Sequence, residues 1–303
     1  MRPSVRHEQG MTIAELMISM TVLAVVIGFV MVAFTDQHHA QLNHERVIEA
    51  QHEGRLITDL MVTDLRMAGF MVPTRAGVGS VDGGANLPDQ ICMSDPAVMD
   101  QTIVANVSQR FPGATPSGTV GAGATRVTVG IAGLDVDSDG TDDFVPGAGI
   151  IVADEDSVHC AIVTIVNPLS GDIDFAPATP AGFSAAGAGA VAVPAVHYIV
   201  NGTNLLRNGT VLSGNVEDVQ IEYWVDVNSD SVMDPAEFPI HDLNGQTLAD
   251  LRLARVSVTS RTDIEDLDMP GQGFSAVANR VAGAADDFKR RRQIAETLLR
   301  NMR

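Results

Sequence analysis

The chain has 303 residues, enough for one large or two modest domains. Its 19 Lys and Arg against 38 Asp and Glu give a formal net charge of -19. Such a field repels phosphate backbones and excludes nucleic acid as a partner of the body as a whole, while it suits divalent cations or a basic protein surface.

The first ten residues, MRPSVRHEQG, are polar, carry Arg2 and Arg6, and end in Gly10. MTIAE follows at 11–15, and then LMISMTVLAVVIGFVMVAF at 16–34, a run with no charged residue. At ~1.5 Å per residue that run makes about 28 Å of helix, close to the ~30 Å of a bilayer core. Positive charge before it, and Asp36, Glu45 and Glu49 after it, predict a cytoplasmic N-terminus and an exported body. A cleaved secretory signal would have a shorter apolar core with a small-residue site just beyond it; this run instead ends in Phe34-Thr35-Asp36. A plain single-span anchor accounts for the run but not for Glu15, a carboxylate that is costly beside lipid unless it has a partner.

Gly10-Met11-Thr12-Ile13-Ala14-Glu15 resembles the processing motif of the type IV prepilin family, with Met11 where Phe is usual. The resemblance implies a short basic leader (1–10) that prepilin peptidase removes after Gly10. Met11 then becomes an N-methylated first residue, and Glu15 is the acid that pairs with the free amine of a neighbouring pilin. It also implies an α+β, pilin-like fold: a long N-terminal helix packed on an antiparallel β-sheet body with long loops.

Helix is expected to continue past the apolar run. From Asp36 to Ala68 there is no Pro and one Gly, Gly54, and Ile57, Met61 and Leu65 share a face. The pattern predicts a helix over about 12–68, with 11–35 as the membrane or filament-core half and 36–70 as the amphipathic half. Ala68-Gly69-Phe70 and then Pro73 supply the stop. The string Thr63-Asp64-Leu65-Arg66-Met67-Ala68-Gly69-Phe70 is similar to the helix end of minor pilins of the PilW class. His38, His39, His44 and His52 read as polar helix surface.

Residues 71–303 read as a β-rich body. The stretch 71–124 predicts a long irregular connection with one short helix near 95–105. Strands are expected at 126–131, 149–153, 158–166, 191–200, 216–225 and 251–259, the last with an irregularity between Leu253 and Val256. Val219, Ile221, Tyr223 and Val225 alternate with Gln220, Glu222 and Trp224, the pattern of a half-buried strand. The Ala/Gly/Pro-rich segment 176–190 reads as a loop. Cys92 and Cys160 have no metal-binding spacing around them; in an exported body they are either one disulfide or two buried thiols.

Two acidic loops carry calcium-like spacing. Asp135, Asp137, Asp139 and Asp143 stand at positions 1, 3, 5 and 9 with Gly140 at 6, but Pro146 replaces the closing Glu. In the second, Asp226, Asn228, Asp230, Asp234 and Glu237 fill positions 1, 3, 5, 9 and 12, and Val232 offers its carbonyl at 7; Ser231 stands where the turn prefers Gly. Ca2+ pinning the loops is one reading, and acidic surface turns are the other.

Arg290-Arg291-Arg292 and the C-terminus resemble the basic terminal string of PilW-like proteins, and otherwise read as a solvated cationic tail. There is no GxSxG, HExxH, phosphate-binding glycine loop or dinucleotide fingerprint; His159 sits beside Cys160 in an expected strand, where neighbours point to opposite faces, so no Cys/His dyad is expected, and His197 and His241 read as single and bland; an enzyme is not expected. The reading is a minor type IV pilin acting in pilus assembly or initiation near the filament tip. It would be single-pass in the inner membrane with a periplasmic body, then on the cell surface, with other pilins as partners. The alternatives are a minor pseudopilin of a type II secretion system, or an adhesin module on a pilin stalk.

Overall fold

The computed structural model describes residues 12–70, 72, 74–95, 114–136, 140–154, 157–185, 190–265 and 273–302. Gly10, Met11, Asp137, Asp139 and most of the short helix expected near 95–105 lie outside them. The chain divides into two compact units, Met1–Ile48 and Glu49–Arg303. One helix, α1 (Ile13–Met67, 55 residues), contributes to both.

In the first unit every large apolar side chain from Ile13 to Phe34 is exposed. A helix that is apolar all round and unburied is made for lipid or for other helices, and α1 is long and apolar enough to cross a membrane. Its hydroxyls do not spoil that surface: Ser19 donates to Leu16 O, Thr21 to Ile18 O and Thr35 to Val32 O.

In the second unit α1 becomes one-sided, burying Ala50, Gly54, Ile57, Met61 and Leu65 at helical spacing. Gly54 sets the distance to the sheet, because a Cβ there would lie 3.0 Å from Ser260 Oγ. Ser260 Oγ also donates to Ala50 O at 2.7 Å. The helix stops at Gly69, whose φ of 79° is the left-handed conformation that favours Gly after a helix. The 63–70 string does more than cap. Asp64 Oδ2 accepts from Tyr198 OH (2.7 Å) and Arg207 Nε (3.1 Å), Arg66 Nε donates to Thr297 Oγ1 (3.3 Å), and Gly69 N–H donates to Ser94 Oγ (2.8 Å). The string thus fastens the helix end to both of the larger sheets.

The strands are β1 (Val78–Val81), β2 (Gln90–Ser94), β3 (Val120–Gly121), β4 (Arg126–Thr128), β5 (Gly149–Ala153), β6 (Val158–Asn167), β7 (Asp172–Ala176), β8 (Ser184–Ala185), β9 (Val191–Asn201), β10 (Asn204–Arg207), β11 (Thr210–Ser213), β12 (Val216–Val225), β13 (Leu251–Arg261) and β14 (Arg290–Leu298). Nine form one antiparallel sheet in the order β1-β2-β9-β5-β6-β7-β4, with the β10–β11 hairpin paired to β9. A second sheet is β12-β13-β14, and β3 pairs β8. The middle of the nine-stranded sheet is buried on both faces, which is why β5 reads as an unbroken apolar run. Ile151 and Ala153 face the core shared with α1, β12 and β13, whereas Ile150 and Val152 face a second core with Ile173, Phe175 and Leu134. An α+β layout with a long helix against antiparallel sheets is therefore what the chain adopts.

Several local expectations are corrected. The 71–124 connection contains strands β1 and β2 and the short β3, and the strand expected over 126–131 ends at Thr128 because Gly130, at φ 76°, turns the chain into a 3-10 turn, Ile131–Gly133. Gln220 is buried, not solvated: its Nε2 donates to Leu87 O. The irregularity in β13 lies between Leu251 and Leu253, opposite Val225 and Trp224, two residues earlier than expected. The basic terminal string is no tail; it opens β14, where Arg290 is held by Glu217 and Asp286.

Candidate functional site

At the N-terminus of α1, Glu15 closes a capping box. Its Oε2 accepts the Thr12 N–H at 3.1 Å and the Thr12 hydroxyl at 3.2 Å, while Thr12 Oγ1 accepts the Glu15 N–H at 3.3 Å. Free helix N–H groups and the positive end of the helix dipole both favour a carboxylate here. The Thr-x-x-Glu spacing that encodes this box is visible in the motif itself, a second role for Glu15 that sequence reading passed over.

The second acidic loop folds tightly on itself. Asp226, Asp230 and Glu237 place carboxylate oxygens within 4.8 Å of one another. Asp226 and Glu237 are buried, at 1% and 3% exposure, whereas Asp230 is exposed. Ser231 takes φ 61°, so it makes the left-handed turn for which Gly was expected, and its N–H donates to Asp226 Oδ1. Asn228 Oδ1 accepts from Asp230 N–H, Asp230 Oδ1 from Val232 N–H, and Asp234 Oδ1 from Ala236 N–H. Glu237 Oε1 accepts from Asn228 N–H and Oε2 from Trp224 Nε1. Asp234 does not join the three-carboxylate group. Among the described residues one cation attends it: Arg252 Nε lies 3.2 Å from Asp226 Oδ2. That arginine, remote in sequence on β13, had no signal in the loop pattern.

In the first loop Asp135 Oδ2 accepts the Gly140 N–H at 2.9 Å, and Gly140 has φ 92°. Buried Asp143 accepts the Val136 N–H at 2.6 Å.

Cys92 of β2 and Cys160 of β6 form a disulfide. Two strands, β9 and β5, separate them in the sheet order, so the bond closes a curl that brings β1 against β6: a Cβ on Gly79 would lie 3.1 Å from Val158 Cγ2. His197 is not bland. It pairs with Cys92 across β2 and β9, is 1% exposed, and neither ring nitrogen has a hydrogen-bond partner. Burial pushes its pKa down to about 4, so the ring is neutral, and an unpaired buried polar atom of this kind costs about 1–3 kcal/mol. His159 by contrast is satisfied: its Nε2 lies 3.0 Å from Pro177 O and its ring packs on Phe175 and Phe183. His38, His39, His44 and His52 are exposed.

Residues 5–31 match the family described as the prokaryotic N-terminal methylation motif. No curated protein and no solved structure matches the chain. A prepilin-type methylation motif at the head of a membrane-capable helix, with antiparallel sheets behind it, supports a type IV pilin-like or pseudopilin protein, built for processing by prepilin peptidase and assembly with other pilins.

Proposed function

We propose that this chain is a minor type IV pilin that takes part in pilus assembly and initiation, at or near the filament tip. The observation that carries the reading is the methylation motif at 5–31 leading a helix whose apolar residues from Ile13 to Phe34 are exposed on every face. Cleavage after Gly10 would leave Met11 as an N-methylated first residue with a free amine. The apolar helix then moves sideways from bilayer to helical bundle, exchanging lipid contacts for protein contacts. Glu15 supplies the negative charge that matches a neighbour's amine in a dry environment, where either charge alone would be costly. The body waits in the periplasm and reaches the surface with the filament. Deleting the gene should leave cells with few or no surface pili; wild-type protein should restore them and Gly10→Ala should not, its precursor keeping its first ten residues. Normal piliation with failed protein secretion would instead make this a minor pseudopilin.

We further propose that the 226–237 loop holds a structural Ca2+, with the 135–143 loop as a second, weaker site. Asp226, Asp230 and Glu237 set three carboxylates against one guanidinium, a local excess of two negative charges with two of the carboxylates desolvated, which a dication neutralises. Asp226 Oδ1, turned away from Arg252, and Asp230 and Glu237 would hold it. At a hundredfold excess over its dissociation constant, Ca2+ stabilises by about 2.7 kcal/mol, several degrees in Tm for a body of this size. Millimolar Ca2+ should therefore raise the Tm of the detergent-solubilised chain, and Asp226→Ala should remove most of the rise. No rise in the wild type would end the calcium reading.

A further inference from the structure

Cys92, Cys160 and His197 reach one point from three strands that the sequence keeps far apart. Their ligand atoms lie within 4.8 Å of one another, and all three residues are buried. Glycines clear the space around them. A Cβ on Gly149 would fall 2.9 Å from His197 Cβ, and one on Gly79 would fall 3.5 Å from Cys160 Cβ. The disulfide leaves the imidazole with nothing to bind: both ring nitrogens are without partners in a site that water does not reach. Before the disulfide forms, the same place holds two thiols and a neutral imidazole.

We propose that in the dithiol state Cys92, Cys160 and His197 bind one Zn2+, and that metal and disulfide are alternative occupants of the site. Zn2+ takes thiolate sulfur at ~2.3 Å and imidazole nitrogen at ~2.0–2.1 Å, which sets tetrahedral ligands about 3.3–3.8 Å apart. On reduction the two sulfurs, bonded to each other in the disulfide, need only part to that spacing, and the imidazole nitrogen, within 4.8 Å of them, needs to close by little more than 1 Å at most. Two thiolates and a neutral imidazole around a dication sum to zero charge, as an apolar core requires. Among the described residues no fourth His, Cys, Asp or Glu joins the group, so these three side chains are the protein's ligands. Binding releases two thiol protons. Oxidation reverses it: the two thiolates give two electrons to a carrier disulfide, which takes up two protons and leaves as a dithiol, while the S–S bond forms. The site then holds a dication and no negative charge, and the metal is expelled. Zinc would thus cap both thiols of the newly made chain until oxidation joins them.

The test uses the full-length chain in detergent, reduced with a phosphine that does not bind metal, with Co2+ as a spectroscopic probe and Zn2+ as competitor. The reduced chain should show thiolate-to-cobalt charge-transfer absorption that saturates at one ion per chain and is abolished by Zn2+. The exposed histidines of α1 cannot produce that band. The oxidised chain should show none. His197→Gln, of similar volume, should form its disulfide and keep its far-UV circular dichroism when oxidised, yet bind Co2+ at least about tenfold more weakly when reduced, since even indirect supports of a metal site cost that much. His197→Cys, which restores a soft ligand, should bind. If reduction unfolds the chain, Zn2+ should restore the dichroism, because binding and folding are then coupled. Absence of the band in the reduced wild type, or equal affinity in wild type and His197→Gln, overturns the proposal; the latter outcome means any two thiols suffice.

Discussion

Glu15→Gln should leave processing intact and remove the chain from filaments. The substitution separates two roles that the structure assigns to, or leaves open for, one carboxylate. As the closing member of the capping box Glu15 accepts from Thr12, and Gln serves that position almost as well, so helix α1 should not fray. As the counter-charge to a neighbour's amine, Gln fails. Breaking a buried ion pair by removing one partner costs about 3–5 kcal/mol, because the other charge remains unmatched in a dry place. At about 1.4 kcal/mol per tenfold, that is roughly two to three and a half orders of magnitude in the equilibrium between membrane and filament. Sheared filaments from cells expressing the variant should therefore lack the chain, while the membrane fraction holds it at its mature mass. Filaments carrying Glu15→Gln at wild-type levels would reduce Glu15 to a helix cap.

The second large effect belongs to the disulfide. Cys92 and Cys160 are separated by 68 residues, and closing a loop of that size removes unfolded-state freedom worth about 4 kcal/mol in the chain-entropy model. The bond also links strands three places apart in the sheet, next to the core that α1 shares with β1, β2 and β9. For a body of this size each kcal/mol moves the Tm by roughly 2–4 °C. A Cys92→Ser, Cys160→Ser double variant should then melt about 8–16 °C below the oxidised wild type, with both measured without added metal. A difference of only a degree or two would show that the curl holds without its covalent tie.

The fold was legible where physics writes a local pattern. Strand β12 alternates along one face, and β5 and β9 are largely apolar runs because the part of the sheet in which they lie is covered on both sides. The end of α1 was legible from Gly69, which the chain needs at positive φ. Elsewhere the pattern is absent for identifiable reasons. Strand β1 is Val-Gly-Ser-Val, with a glycine that makes room for Cys160 and its neighbours, and β2 opens on Gln and closes on Ser. Strand β14 begins with three arginines, a pattern that by itself reads equally as a solvated tail. Its strand character comes from pairing with β13 and from Glu217 and Asp286, which hold Arg290. The sites divide in the same way. Positions within one loop, such as Asp226, Asp230 and Glu237, can be read from spacing, but Arg252, which turns toward Asp226 from another strand, cannot. His197 could not be connected with Cys92 and Cys160 from sequence, because only the register of β2 on β9 brings them together.

Assembly as a pilin depends on what becomes of the first ten residues. Mass spectrometry of the N-terminal peptide of protein isolated from cells measures it directly. A chain that starts at an N-methylated Met11 is the predicted result. A chain that still carries residues 1–10, or that begins beyond residue 34 and so has lost the apolar helix, would contradict it.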